Sequence, residues 1–108
     1  MVESNAQLDS LFTALSDSTR RSILARVAKV EMSIGEIAEC YELTFAAISK
    51  HIKVLERANL ITKRRRGKEQ VVIIVPDTVD VAREHIERYA AMWGSRFDKL
   101  EQILKEEK

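Results

Sequence analysis

The sequence has 108 residues, of which 45% are hydrophobic and 32% are charged, and its formal net charge is +1. This size predicts a single domain spanning 1–108, and the composition is typical of globular proteins. No apolar run approaches the ~18 residues of a membrane span, and the N-terminal segment lacks the pattern of a signal peptide. The single cysteine, Cys40, has no partner for an internal disulfide, which is consistent with a reducing compartment. Together these features predict a cytoplasmic location without membrane contact.

Apolar spacing predicts two helices in the first thirty residues. Residues 6–16 carry one apolar stripe at helical spacing, and Asp17 follows as a suitable N-cap for the second helix. The stripe of the first helix consists of Leu8, Leu11, Phe12 and Leu15, and the predicted buried side of the second consists of Ile23, Leu24, Val27 and Val30.

A helix-turn-helix is predicted over residues 33–58. Ser33 and Glu36 have the spacing of a capping box at the start of a short third helix, and Thr44 can cap a fourth helix ending near Ala58. Only a few residues separate the two helices, as in a helix-turn-helix motif. Their predicted buried residues are Ile37, Ala38 and Tyr41 in the third helix and Ile48, Ile52 and Leu55 in the fourth.

The side of the fourth helix opposite its apolar residues is basic. At ~100° per residue, that side carries Ala46, Lys50, Lys53 and Arg57. Residues 44–71 as a whole contain eight basic and two acidic residues, so this segment carries +6 and the rest of the chain −5. Charge segregated in this way is typical of a surface that binds nucleic acid phosphates.

A small β-hairpin is predicted over residues 60–75. The runs 60–63 and 71–75 have the composition of strands, Pro76 ends the second, and Gly67 can take a positive φ in the tip between them. The basic residues of the predicted tip are expected to contact phosphate, although a solubilising guard on an exposed strand edge is the alternative. They are Arg64, Arg65, Arg66 and Lys68.

A long C-terminal helix is predicted over residues 79–105. Its apolar side is too long for a domain of this size to cover, so a second copy of the chain is expected to pack against it. Gly94 and Ser95 mark a kink or a close approach of a neighbouring helix. The predicted dimer residues are Leu8, Leu11, Phe12 and Leu15 of the first helix, and Ile86, Tyr89, Trp93, Phe97 and Leu100 of the last.

Two segments carry a resemblance to a known family. Residues 14–24, ALSDSTRRSIL, are similar to an "AL.DPTRR.IL" motif, and residues 48–61, ISKHIKVLERANLI, are similar to "VSKHLKVLREAGLV". With the basic hairpin that follows, the chain resembles the ArsR/SmtB family of winged helix-turn-helix repressors over nearly its whole length.

The resemblance implies a mainly α fold with a small β-hairpin, dimerising through its first and last helices and binding double-stranded DNA. The fourth helix would enter the major groove, and the hairpin would be the wing that flanks the DNA backbone. The positions that carry over as facing bases or adjacent phosphates are Thr44, Phe45, Ala46, Ser49 and Lys50.

The sequence departs from the family pattern at two places. Phe45 stands where many relatives have glutamine, and Ala46 stands where they have proline or serine. The loss of a polar base reader favours apolar contact with thymine methyl groups. The Cys-x-Cys pair of the metal sensors is replaced by Ser33 and Gly35, and the last helix lacks the ligand spacing of the zinc sensors. No metal and no cofactor is therefore expected, and Cys40 is expected to be a packing residue.

The leading hypothesis is a repressor that binds a palindromic operator as a homodimer and does not respond to metal. The alternatives are a winged-helix protein-interaction module and a redox-responsive regulator that uses Cys40. An enzyme is not expected, because no phosphate-binding glycine loop, carboxylate pair or nucleophile with a base is present. The role of His51 is either a phosphate contact or a structural hydrogen bond. The sequence does not identify an effector.

Overall fold

The structure, a computed structural model, describes residues 5–106. Their order is α1 (Asn5–Leu15), α2 (Ser18–Lys29), β1 (Met32–Ser33), α3 (Ile34–Glu39), α4 (Phe45–Arg57), β2 (Ile61–Arg66), β3 (Glu69–Ile74) and α5 (Pro76–Glu106). The strands form one antiparallel sheet in the order β1-β3-β2. The predicted mainly helical fold with a hairpin wing is confirmed.

Side-chain caps begin three of the helices, as the sequence predicts. The Asp17 carboxylate accepts a hydrogen bond from the Arg20 amide at 3.0 Å, and the Thr44 hydroxyl accepts one from Ala47 at 3.0 Å. Ser33 and Glu36 form a reciprocal capping box at 2.9 and 3.1 Å. These amide donors lower the pKa of both carboxyl groups, Asp17 through Arg20 and Glu36 through Ser33.

One hydrophobic core joins the helices to the sheet. It is formed by residues that are almost completely buried, among them Leu11, Ile23, Ile37, Ile48, Ile52, Leu55, Leu60, Ile61 and Val72. Val30 was predicted to be buried, but its side chain is 61% exposed. Val30 follows the last residue of α2 in extended backbone, so the helical repeat no longer sets its direction.

The sheet differs from the predicted hairpin in two respects. Strand β1, which was not predicted, has two residues and pairs with Val71 and Val72 of β3. The three arginines expected in the tip lie within β2, and the turn consists of Gly67 and Lys68 alone. Gly67 has a φ of 64°, the left-handed conformation that a two-residue turn requires at its first position.

Helix α5 starts at Pro76, a favoured first residue because its missing N–H has no partner in a first turn. Its 31 residues make a helix of about 46 Å, uninterrupted at Gly94 and Ser95. Only Thr78 and Ala82 are buried, so most of α5 extends away from the core. Among the described residues, no helix is long and apolar enough to cross a membrane.

Candidate nucleic-acid interface

Helix α4 divides into a buried and an exposed side. Ile48, Ile52 and Leu55 are fixed in the core, which leaves no freedom for the helix to rotate. The predicted outward residues are all exposed, and they are Ala46, Lys50, Lys53 and Arg57. A rigid helix therefore presents three cations on one side.

The N-terminal turn of α4 projects an aromatic side chain into solvent. Phe45 is 58% exposed, although phenylalanine is usually buried in a core, and Thr44 before it is held by its capping role. Ser49, one turn later, is half-buried. These residues are accessible for contact with another molecule and are not needed to fill the core.

A side-chain network fixes α4 to the junction of α1 and α2. Arg20 donates to the carbonyl oxygens of Thr13 and Ala14 at 3.0 and 2.8 Å, and its Nη1 lies 3.3 Å from His51 Nδ1 on α4. Because a guanidinium can only donate, His51 Nδ1 is the acceptor in this contact. His51 thus makes a structural hydrogen bond, although Asp17 also lies 3.8 Å from the same nitrogen.

The wing contains two classes of basic residue. Lys63, Arg64 and Arg66 each lie within 4 Å of a carboxylate of the same chain. Arg65 and Lys68 form no ion pair with any described residue, and Arg65 Nε donates to the Gly67 carbonyl at 3.0 Å. The acidic partners lie on other elements, so the run of basic residues in the sequence does not distinguish the two classes.

Cys40 does not pack in the core, so that prediction was wrong. It is the C-cap residue of α3, it is exposed, and its thiol lies 3.5 Å from the Glu36 carbonyl oxygen. The residue follows the last turn of a six-residue helix, where the buried side has already ended.

The predicted dimer residues have different environments within the chain. Leu11 is completely buried in the core of its own domain, so it has no surface to offer and must be removed from the set. Leu8 and Leu15 are half-buried against the same core. Phe12 is half-buried beside His85, with ring centroids 6.5 Å apart. The predicted residues of α5 remain exposed: Ile86, Tyr89, Trp93, Phe97 and Leu100.

The exposed apolar residues of α5 line a shallow groove along one side of the helix. Tyr89, Trp93 and Phe97 lie along it, and the rings of the last two are in edge-to-face contact with centroids 6.2 Å apart. More than half of the Trp93 and Phe97 surface is accessible. Such a contiguous apolar surface is typical of a protein interaction site.

The sequence matches known transcriptional regulators. Residues 15–64 match a family model described as a helix-turn-helix domain. The chain is 33% identical to the HTH-type transcriptional regulator Rv2034 of Mycobacterium tuberculosis, over 75% of this chain and 76% of the relative. It is 36% identical to the transcriptional repressor SdpR of Bacillus subtilis, over 56% of this chain and 68% of the relative.

Solved structures share the fold over most of the chain. An ArsR-like transcriptional regulator from Rhodococcus sp. RHA1 superposes with a TM-score of 0.77 at 29% identity, covering 93% of this chain and 92% of that one. HlyU from Vibrio cholerae superposes with a TM-score of 0.65 at 26% identity, and the match covers 82% of this chain and 97% of the HlyU chain.

Proposed function

The chain belongs to the ArsR/SmtB family of winged helix-turn-helix transcriptional regulators, and we propose that this DNA-binding regulator is a repressor that binds a palindromic operator as a homodimer. We propose a cytoplasmic location, because its target is DNA. The observation that carries this function is the exposed side of α4, on which Lys50, Lys53 and Arg57 have no acidic partner among the described residues.

The dimensions of α4 suit the major groove of DNA. The groove is about 12 Å wide and admits one α-helix, and α4 is accessible along a whole side. We assign base-edge contacts to the N-terminal residues of the helix, as other helix-turn-helix proteins place them. These residues are Thr44, Phe45, Ala46 and Ser49.

The remaining cations are assigned to the phosphate backbone. Phosphate contacts set the position and the register of a protein on DNA, and base contacts supply the specificity. The phosphate-binding residues are Lys50, Lys53 and Arg57 of α4 and Arg64, Arg65, Arg66 and Lys68 of the wing.

The apolar side of α5 supports the homodimer. A second copy related by a two-fold axis places the same surface of both copies in contact and buries both apolar sides at once. Two identical reading helices then require an operator with two-fold symmetry, and the half-site spacing equals a whole number of DNA turns.

Selection of bound duplexes from a random pool tests this function. We expect the enriched sequences to be imperfect palindromes whose half-sites are about one helical turn apart and contain thymine. Binding to unselected duplex should be weaker and should fall steeply with salt. A pool that shows no enrichment, with no binding even at low salt, would favour the protein-interaction module.

We also propose that operator binding needs no metal. Within residues 5–106, no three histidine, cysteine, aspartate or glutamate residues are grouped as a metal site requires. Zinc, cadmium or arsenite is therefore expected to change the operator dissociation constant by less than about tenfold, or 1.4 kcal/mol. Fluorescence anisotropy of labelled operator with each ion and with a chelator measures this effect. A larger change at one ion per protomer would contradict the proposal.

A further inference from the structure

Two arginines of the wing are held by carboxylates from other parts of the fold. Arg64 Nη2 lies 3.3 Å from Glu31 Oε2, and Arg66 Nη2 lies 3.9 Å from Glu36 Oε1. Glu31 directly precedes β1, and β3 lies between β1 and β2, so the side chains of Arg64 and Glu31 meet across β3. Arg66 also lies 3.6 Å from Glu69, its partner in the hairpin.

The Glu36 carboxylate is fixed before any DNA arrives. The same oxygen that faces Arg66 accepts the Ser33 amide at 2.9 Å as part of the capping box. The Ser33 hydrogen bonds lower the pKa of Glu36, and Arg66 lowers it further, so the group is ionised at neutral pH. Glu36 is therefore a stationary negative charge beside the wing, held for a reason independent of the wing.

The other cations of the proposed DNA surface have no such neighbour. Lys50, Lys53 and Arg57 of α4, and Arg65 and Lys68 of the wing, lie beyond ion-pair distance of every carboxylate in the described chain. Of the basic residues of the wing, only Arg65 and Lys68 are therefore free of a carboxylate of the described chain and able to bind phosphate without displacing one.

We propose that Glu31 and Glu36 are electrostatic restraints on the wing that weaken its attraction for DNA. This inference rests on the proposed function. A phosphate that approaches Arg64 or Arg66 must displace a carboxylate or remain beside it, and like charges at that distance repel. Since phosphate contacts dominate binding to any duplex, the restraint keeps affinity for unselected DNA low and leaves discrimination to α4.

The test is a chain with Glu31→Gln and Glu36→Gln, in which glutamine retains the capping box at residue 36. We expect it to bind a random duplex about tenfold more tightly at low salt, since several surface ion pairs are removed from the free dimer. Each arginine released to phosphate steepens the plot of log affinity against log salt by about 0.9. Arg66 keeps Glu69 as a partner, so only Arg64 is counted, and its release in two protomers contributes about 1.8.

A matched control separates release of the arginines from a simple change in net charge. Glu39→Gln with Glu42→Gln alters the charge by the same amount, and neither residue has a basic partner within the described chain. The affinity of this control for random duplex should increase by less than about a third as much, and its salt slope should be unchanged. In a chain that also carries Arg64→Ala, Glu31→Gln should give no more gain than a charge change of the same size gives in the control.

Equal gains in the two double variants would overturn the proposal, as would a gain from Glu31→Gln that is equally large with and without Arg64. Absence of binding by the unmodified protein at low salt would overturn the proposed function itself and this inference with it. If the unmodified protein binds but Glu31→Gln with Glu36→Gln does not change its affinity, the inference is overturned and the proposed function stands.

Discussion

Replacing Trp93 and Phe97 together by glutamate is expected to give a folded monomer that binds operator DNA only weakly. Both side chains are mostly exposed in the single chain, at 61% and 59%, and neither belongs to the core. The domain has no need of them for folding. A dimer that packs α5 against its copy would bury both, and two carboxylates in that position would be desolvated without partners.

The size of this effect follows from the behaviour of central aromatic residues at interfaces. Loss of one such residue costs about 2 kcal/mol or more, and the dimer loses two from each protomer, so the dimer dissociation constant should rise at least a thousandfold, as an order of magnitude. Sedimentation or light scattering across a concentration series measures the dissociation constant. Circular dichroism of the same samples reports whether the chain is folded.

The control places the same two charges elsewhere on the helix. Ser95 and Gln102 are exposed and lie about 180° around α5 from the Trp93 and Phe97 side. Ser95→Glu with Gln102→Glu should remain dimeric and bind operator normally. A stable monomer for the unmodified protein at micromolar concentration would contradict the prediction, and so would two double variants that dissociate equally.

Local sequence signals predicted the positions of the helices and the exposed basic side of α4. Caps such as Asp17, Ser33 and Thr44 act within three residues of themselves, and the periodicity of Ile48, Ile52 and Leu55 fixes one side of a helix without knowledge of its partners. These features depend on neighbours in the sequence, so the sequence was sufficient to find them.

Features that depend on distant residues were missed. Strand β1 exists only because β3 pairs with it, and two residues carry too little pattern to predict a strand. Pairing of β2 with β3 also extends both strands to the turn, which draws Arg64 and Arg66 out of the expected tip. The hydrogen bond from Arg20 to His51 joins residues 31 apart, and no spacing rule indicates it.

Mutations in the reading helix and in the wing are expected to differ in how they affect specificity. Phe45→Ala and Ser49→Ala should each weaken operator binding by about 1–3 kcal/mol, the usual cost of losing a base contact, with little change on random duplex. Phe45 lies outside the core, so the fold should be unaffected. Leu43→Ala serves as a control, because Leu43 is an exposed apolar residue just before the N-cap of α4.

Arg65→Ala should weaken binding to operator and to random duplex equally. Arg65 has no carboxylate partner within the described chain and donates only to the Gly67 carbonyl, so it is free to meet phosphate, which carries no sequence information. Each lost contact should flatten the salt dependence by about 0.9 in the logarithmic slope. Titrations of the variants on both duplexes at two salt concentrations measure these quantities together.

The comparison of the two duplexes decides whether α4 reads bases. If Phe45→Ala and Ser49→Ala weakened both duplexes equally, the N-terminal turn of α4 would contact DNA without reading its bases. Specificity would then have to arise from the shape of the DNA, which a protein senses through bending and groove width without touching bases. Losses confined to the operator, beside a uniform loss for Arg65→Ala, would assign base reading to the exposed end of α4 and attraction to the wing.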